Sequence, residues 1–493
     1  MILKDVENLY TIYDLMAYSY LGIKNEVKKM AQKYNVVYDS HPLIEMIAGF
    51  GECNRCSIEE NRWFNNIKKF LIKHHGQINL EMYLNIIKAI DRECTYDYKY
   101  NIQQSFGKTG VKIKSLLSNY FDELVLLPQY MGDGNITGYF NDALQSKTKS
   151  RRRTNIKANP NSINYHLDNY IILSKDQYIN EPQLYYFDDK NNIKKLINKN
   201  NKISIAVVPL IQDNVNEVLN YNFDLNAFNI LGIKDKFRAT LENKYLKILE
   251  DLITHNIDIA VFPEMLLDED ILNSIKDLLK RKNKNNLKIL FPGTIWRDCE
   301  NYCPVLDFNG TEIFRQKKQT CFEFQNIDKK YIENLNLIDK KIHILDINGL
   351  GRIFTHICAD LLNAPLDLIR REFEANFIFV PAYTPSLEIE RLAHQSAENI
   401  GSYSLISNSC SAINGIQKGE FPHIGCICMP AKLGTSNTYE TIKYCIDSDC
   451  ENCKFISCYY TFTIDFITLD SKQVDGSTKY WLKTDKNHVI INT

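Results

Sequence analysis

"IDIAVFPE", residues 257–264, is the stretch that decides the fold class. Its apolar run is short, continuous and closed by Pro263, the mark of a strand buried on both faces. A second such run, "KISIAVVPL" (202–210), lies upstream, and "KFRATLENKYLKILEDLITHN" (236–256) stands between the two with apolar residues at helical spacing. Downstream, "DEDILNSIKDLLKRK" (268–282) predicts a helix and "LKILFPGTI" (287–295) a strand. "YCPVLDF" (302–308) and "TEIFRQKKQ" (311–319) then predict a hairpin about Asn309-Gly310, a strong turn pair. "GRIFTHICAD" (351–360), "PLDLIRREFEA" (365–375), "NFIFVPA" (376–382), "LEIERLAHQSAENIG" (387–401) and "YSLISNSC" (403–410) continue the alternation. Strands alternating with helices, interrupted by a hairpin, define a layered mixed α/β domain.

Upstream of residue 202 the pattern differs. "ENLYTIYDLMAYSYLGIKNEVKKMAQKYN" (7–35), "HGQINLEMYLNIIKAIDREC" (75–94) and "GVKIKSLLSNYFDELVLL" (110–127) carry apolar residues at three- and four-residue spacing and predict helices. A basic, polar stretch over 145–162 reads as an exposed linker, and "YIILSKDQYI" (170–179) and "PQLYYFDD" (182–189) as short strands. The expected organisation is therefore a mainly helical N-terminal region, residues 1–200, and an α/β domain over 201–493 ending in a strand extension.

The totals narrow the function classes. A formal net charge of -1 in 493 residues supplies no field for nucleic acid or acidic membranes. The arginine-rich "KSRRRTNIK" (149–157) reads as a solvated loop. "FGKTG" (106–110) is not a phosphate loop, because Ile102 stands where the pattern requires glycine. No run reaches the roughly 18–20 apolar residues that a membrane span needs. Asp5, Glu7 and Asp14 stand where a secretory signal would be basic and then apolar, so a cytoplasmic protein is expected. In that compartment the 14 cysteines are core residues, nucleophiles or metal ligands before they are disulfides.

Three residues at strand ends form a chemical constellation. Glu264 closes "IDIAVFPE", Lys318 closes "TEIFRQKK" and Cys358 closes "GRIFTHIC". A carboxylate can take a thiol proton, an ammonium can hold the charge of a tetrahedral intermediate, and a thiolate can form a thioester. The backbone N–H of Ala359 would be a second oxyanion donor. Each residue alone has a plain alternative: Cys358 as an inert core thiol, Glu264 as a helix cap, Lys318 as a solvated lysine. "CIDSDCENCKFISC" (445–458) is a rival signal, since Cys445, Cys450, Cys453 and Cys458 are thiolates that zinc accepts. Their spacing lacks two separated pairs, and no metal is assigned to them.

The order of the motifs resembles the nitrilase, or carbon–nitrogen hydrolase, superfamily. "AVFPE" (260–264) is similar to its glutamate motif, "KQTCF" (318–322) to its lysine motif and "ICADLLNAP" (357–365) to its cysteine motif, with Asp360 two residues after the nucleophile. "ILFPGTI" (289–295), "NYCPVLDFNGTEI" (301–313), "FIFVPAYTPS" (377–386) and "SAENIGSYSLISNS" (396–409) agree in the flanks, so the resemblance covers about residues 202–470. It implies an α-β-β-α sandwich, assembly into homo-oligomers, and amide or nitrile C–N cleavage by Glu264, Lys318 and Cys358 without metal or cofactor. It also implies a second glutamate near the lysine, for which Glu323 is the nearest candidate. The family's histidine after the lysine is missing, its aromatic after the cysteine is Ala359, and its "RFPE"-like continuation is "LLNAP". These departures leave the substrate open. They also leave open acyl transfer through the same thioester, and a non-catalytic assembly or ligand-sensing module. The added N-terminal region leaves open a protein partner and a bacterial defence setting, in which some members of the superfamily occur.

Overall fold

The computed structural model describes residues 6–34, 41–53, 57–94, 111–113, 115–117, 121–128, 161–167, 169–175, 180–187, 202–211, 213, 215–224, 226–282, 286–326, 329–347, 351–373, 375–384, 388–399, 402–413, 423–428, 439–443, 456–465 and 483–492. The basic stretch up to residue 160, the "FGKTG" segment, and Cys445, Cys450 and Cys453 lie outside them. The chain divides into two compact units, one of residues 1–137 and 148–179, the other of 138–147 and 180–493.

The first unit carries the helices Ile12–Ile23, Val27–Gln32, Pro42–Cys53, Ser57–Lys73 and Leu80–Glu93. Thr11 and Asp14 form a reciprocal capping box at the first of these, and Asn79 caps the last through the N–H of Met82. The helix expected across "GVKIKSLLSNYFDELVLL" does not form. Leu124–Pro128 is instead a strand, antiparallel to Tyr170–Ser174 with Leu124 opposite Ser174. The "LVLL" run fits a helix face and a buried strand equally well, and pairing with "YIILS" decides for the strand. Asp91, fully buried on the last helix, accepts hydrogen bonds from the N–H groups of Asn169 and Tyr170 at 2.9 and 3.2 Å and fixes the helix to the strand.

The second unit is mixed α/β. One of its sheets runs in the order Glu181–Phe187, Lys341–Ile347, Gly351–Thr355, Phe377–Ala382, Tyr403–Asn408, His423–Cys428 and Tyr439–Lys443. The other runs Ile295–Arg297, Glu300–Asp307, Ile289–Phe291, Ile259–Val261, Lys202–Val207, Ile456–Asp465 and Lys483–Asn492, with Glu312–Lys317 also paired to Glu300–Asp307. Their central strands are parallel and apolar throughout; every residue of Phe377–Ala382 and of Ile259–Val261 is buried.

Residues of the two sheets touch one another. The rings of Phe291 and Phe379 lie 4.9 Å apart, and the Ser407 hydroxyl donates to the Val261 carbonyl at 2.9 Å. Helices Asp235–Thr254 and Glu269–Arg281 pack onto the second sheet through Leu241, Tyr245, Ile248, Ile271, Leu272 and Ile275, in one cluster with Ala206, Ala260 and Leu290. Full burial of such a side chain contributes about 1.5–3 kcal/mol. The expected hairpin turn forms: Asp307 accepts from the N–H groups of Asn309 and Thr311, and Gly310 takes a positive φ of 75°. A Cβ there would lie 2.8 Å from the Lys276 carbonyl. A separate small sheet pairs Glu323–Asn326, Lys329–Glu333, Ala227–Ile233 and Leu219–Asp224.

Asp258, just before the Ile259–Val261 strand, accepts the Ser204 N–H at 2.8 Å, and burial pushes its carboxyl from the ordinary 3.8 up to about 7. The folded value lies above the unfolded one, so the group favours folding most below pH 4, and that contribution is lost as pH rises through 7. Asp258→Asn keeps an acceptor for Ser204 without the titration. The variant is expected to gain on the wild type by about 2 kcal/mol between pH 5 and pH 7, read from urea unfolding at the two pH values.

Candidate active site

Glu264 follows the Ile259–Val261 strand and is rigidly mounted. Its N–H donates to the Ala382 carbonyl of the opposite sheet at 3.2 Å, and the next N–H, of Met265, donates to the Thr294 hydroxyl at 2.9 Å. Met265 takes a positive φ of 68°, a costly conformation for a side-chain-bearing residue and one that turns the chain sharply at the carboxylate. Gly293 lets that turn approach, since a Cβ at its φ of 98° would lie 2.4 Å from the Pro263 carbonyl. The helix-cap alternative for Glu264 fails, because helix Glu269–Arg281 is capped by Asp268.

Lys318 follows the Glu312–Lys317 strand, and its N–H is fixed to the Asn301 carbonyl at 2.7 Å. Its ammonium lies 2.8 Å from Glu264 Oε1 and 2.8 Å from Glu333 Oε2, and all three side chains are fully buried. That burial removes the solvated-lysine alternative. Asn301 Nδ2 donates to the same Glu264 Oε1 at 2.8 Å, which leaves Oε2 buried without a nitrogen or oxygen donor. Cys358 lies close enough to the Glu264 carboxylate and the Lys318 ammonium for both to act on its charge.

Cys358 sits at the knuckle between the Gly351–Thr355 strand and a short 3-10 turn, Cys358–Leu362, in the left-handed region at φ 46°. Left-handed backbone at a cysteine is a strained arrangement of the kind that gathers at functional sites. Cys358 and Ala359 are both buried. Around them, the Asp360 carboxylate accepts the N–H groups of Gln319 and Ile357 at 2.7 and 3.1 Å, and Asn363 Nδ2 donates to the Thr320 hydroxyl at 2.9 Å. Asn363 also caps helix Ala364–Glu372 through the N–H of Leu366, so the divergent "LLNAP" tail serves as the entry to a helix.

Charges follow from burial and pairing. Burial works against the Lys318 ammonium, but Glu264 and Glu333 outweigh it and hold it well above the ordinary lysine value. Burial raises Glu264, and the pull of Lys318 only partly offsets this. Burial and then the Glu264 charge push the Cys358 thiol well above its ordinary value, against Lys318 and the Tyr383 N–H. The resting thiol is therefore protonated.

The structure thus brings Glu264, Lys318 and Cys358 to one place. Glu323 stands elsewhere, half exposed and paired with Lys330. The acid beside Lys318 is Glu333, which also accepts the Phe322 N–H at 2.8 Å. Its signal in the sequence is the one that marks Glu264: in "KKYIE" it is the buried carboxylate at a strand end. Cys458, within the Ile456–Asp465 strand, is buried opposite Ile490.

No family model matches the sequence, and no curated protein does. Solved structures do match, among them nitrilase-superfamily members. The C. elegans NitFhit protein is 16% identical at a TM-score of 0.35, over 46% of this chain and 56% of that one. Saccharomyces cerevisiae Nit3, a member of branch 10 of the nitrilase superfamily, is 16% identical at 0.33, over 49% and 90%. The Nesterenkonia AN1 amidase from the nitrilase superfamily is 11% identical at 0.31, over 49% and 87%. The chain therefore spans little more than half the length of NitFhit. Among the described residues no helix is long and apolar enough to cross a membrane.

Removing the cation from this cluster strands two buried carboxylates. Lys318→Met is expected to lower the unfolding free energy by about 3–5 kcal/mol. Lys330→Met, which breaks the half-exposed pair with Glu323, is expected to change it by less than about 1 kcal/mol. Urea denaturation of the two variants beside the wild type measures both.

Proposed function

We propose that the second unit is a nitrilase-type hydrolase that cleaves the non-peptide C–N bond of a small amide or nitrile through a thioester on Cys358. Its catalytic domain, residues 201–493 together with the Glu181–Phe187 strand, is an α-β-β-α sandwich built from the two sheets and their flanking helices. The observation that carries this reading is the fully buried Lys318 ammonium held between Glu264 and Glu333, with Cys358 near enough to feel the charge of all three. The ordered glutamate, lysine and cysteine motifs of the sequence support it independently.

The steps follow from the geometry. For an amide, Glu264 takes the thiol proton as Cys358 Sγ bonds to the carbonyl carbon, and the carbonyl electron pair moves to oxygen. The oxyanion lies against Lys318 Nζ and the Ala359 N–H, donors fixed before the substrate arrives. Glu264 then returns the proton to the nitrogen, the C–N bond breaks, and ammonia or an amine departs from the thioester. Water, deprotonated by Glu264, attacks the thioester carbon by the same tetrahedral route; the acid leaves and the thiol is restored. Glu333 keeps Lys318 charged and aimed throughout.

The test is intact-mass spectrometry with peptide mapping after incubation with a panel of small amides and nitriles. A covalent acyl adduct on Cys358 is expected, with hydrolysis reduced by about a thousandfold or more in Cys358→Ala. An adduct confined to another cysteine, or hydrolysis that survives Cys358→Ala, overturns the assignment.

A further inference from the structure

Lys318 and Cys358 belong to different sheets, so their mutual placement is not a product of any one strand ladder. Lys318 follows a strand paired to Glu300–Asp307, and Cys358 follows one paired to Lys341–Ile347 and Phe377–Ala382. A single buried carboxylate spans the gap. Asp360 Oδ1 accepts the N–H of Gln319, the residue after Lys318, at 2.7 Å, and Oδ2 accepts the N–H of Ile357, the residue before Cys358, at 3.1 Å. Asp360 is wholly buried, and the Thr320 hydroxyl donates to the same carboxylate.

We propose that Asp360 is a positioning residue that sets the distance between the lysine and the cysteine of the site by clamping one backbone N–H beside each. The inference rests on Cys358 being the nucleophile. Carboxylate is the side chain that fits, because it offers two equivalent acceptors 120° apart while an amide offers one. In Asp360→Asn one of the two N–H groups faces an NH2, and the clamp holds a single segment. Charge strengthens both bonds. Lys318, and Arg370 on helix Ala364–Glu372, are the charged groups that act on Asp360; burial works against them and pushes its carboxyl up to about 7. The clamp therefore loosens as pH falls through neutrality.

The probe is iodoacetamide, a small amide electrophile, with the full-length chain and mass-spectrometric counting at Cys358 and at the part-exposed Cys299. Asp360→Asn is expected to slow alkylation at Cys358 by about tenfold at pH 8 and to leave Cys299 unchanged, a rise of about 1.4 kcal/mol in the barrier. As pH falls from 8 to 6, protonation of Asp360 should slow the wild-type Cys358 by up to about tenfold more than it slows Asp360→Asn, so that the two rates converge, a step that a purely structural role for Asp360 would not produce. If that variant does not fold, Thr320→Val carries the test: it removes one hydrogen bond from the same carboxylate and should slow Cys358 by about two- to fivefold. A reactive wild-type Cys358 whose rate and pH slope are the same in the variants overturns the clamp alone. A wild-type Cys358 that resists the reagent sinks the nucleophile assignment and the clamp with it.

Discussion

A lysine ammonium with no solvent exposure, held between two carboxylates, is the constraint on which the second unit depends. An ion pair of this kind is weak evidence of stability, because desolvating its members costs several kcal/mol per ion. The surrounding structure is accordingly organised to complete the pairing. Asn301 supplies a hydrogen bond to Glu264 from its side chain and one acceptor for Lys318 from its backbone. Glu333 is pinned at both ends, its carboxylate by the Phe322 N–H and its own N–H by the Phe322 carbonyl. The sheets bury the site, and the strand ends decide which charges meet there.

The architecture explains why the three central residues come from three strand ends. A side chain in mid-strand is bound by the ladder and by its neighbours on the same face. One at a strand end projects where the chain leaves the sheet, free of the alternation and still fixed by the strand behind it. Positive φ at Met265 and Cys358 shows the chain being turned sharply at just these points. Ala382, at the end of the opposing central strand, ties the Glu264 backbone across the interface, so the two sheets are in register at the chemistry.

What the sequence made legible was local. Apolar runs ending at Glu264, Lys318 and Cys358 each carry their information within eight or ten residues, and the alternation of strands and helices followed from the same short-range signals. Glu333 escaped because its approach to Lys318 is tertiary. It stands on a strand of the small sheet, parallel to Ala227–Ile233 with Glu333 opposite Phe228, and nothing in the fourteen intervening residues encodes that pairing. Glu323 was nearer in sequence, but its strand points the side chain outward to Lys330. Leu124–Pro128 failed for a related reason. Four consecutive apolar residues do not carry a period, and the partner strand that decides their conformation lies more than forty residues away.

The proposed reaction asks a buried thiol with a raised pKa to act as a nucleophile, and the charges of the site would allow it. The group holds two carboxylates, one ammonium and a neutral thiol. Passing the thiol proton to Glu264 leaves the total charge unchanged and moves one negative charge from carboxylate to sulfur. Attack moves it again, from sulfur to the substrate oxygen, toward the ammonium that Glu264 had been neutralising. No step creates or exports net charge, so the large cost of charging a dry interior is not met during the reaction. A thiolate formed in advance would be more reactive alone, yet it would place another anion beside Glu264 and Glu333, and the fold opposes this by burial. The raised values of Glu264 and Cys358 have one leading cause, burial, which opposes an anion at either position.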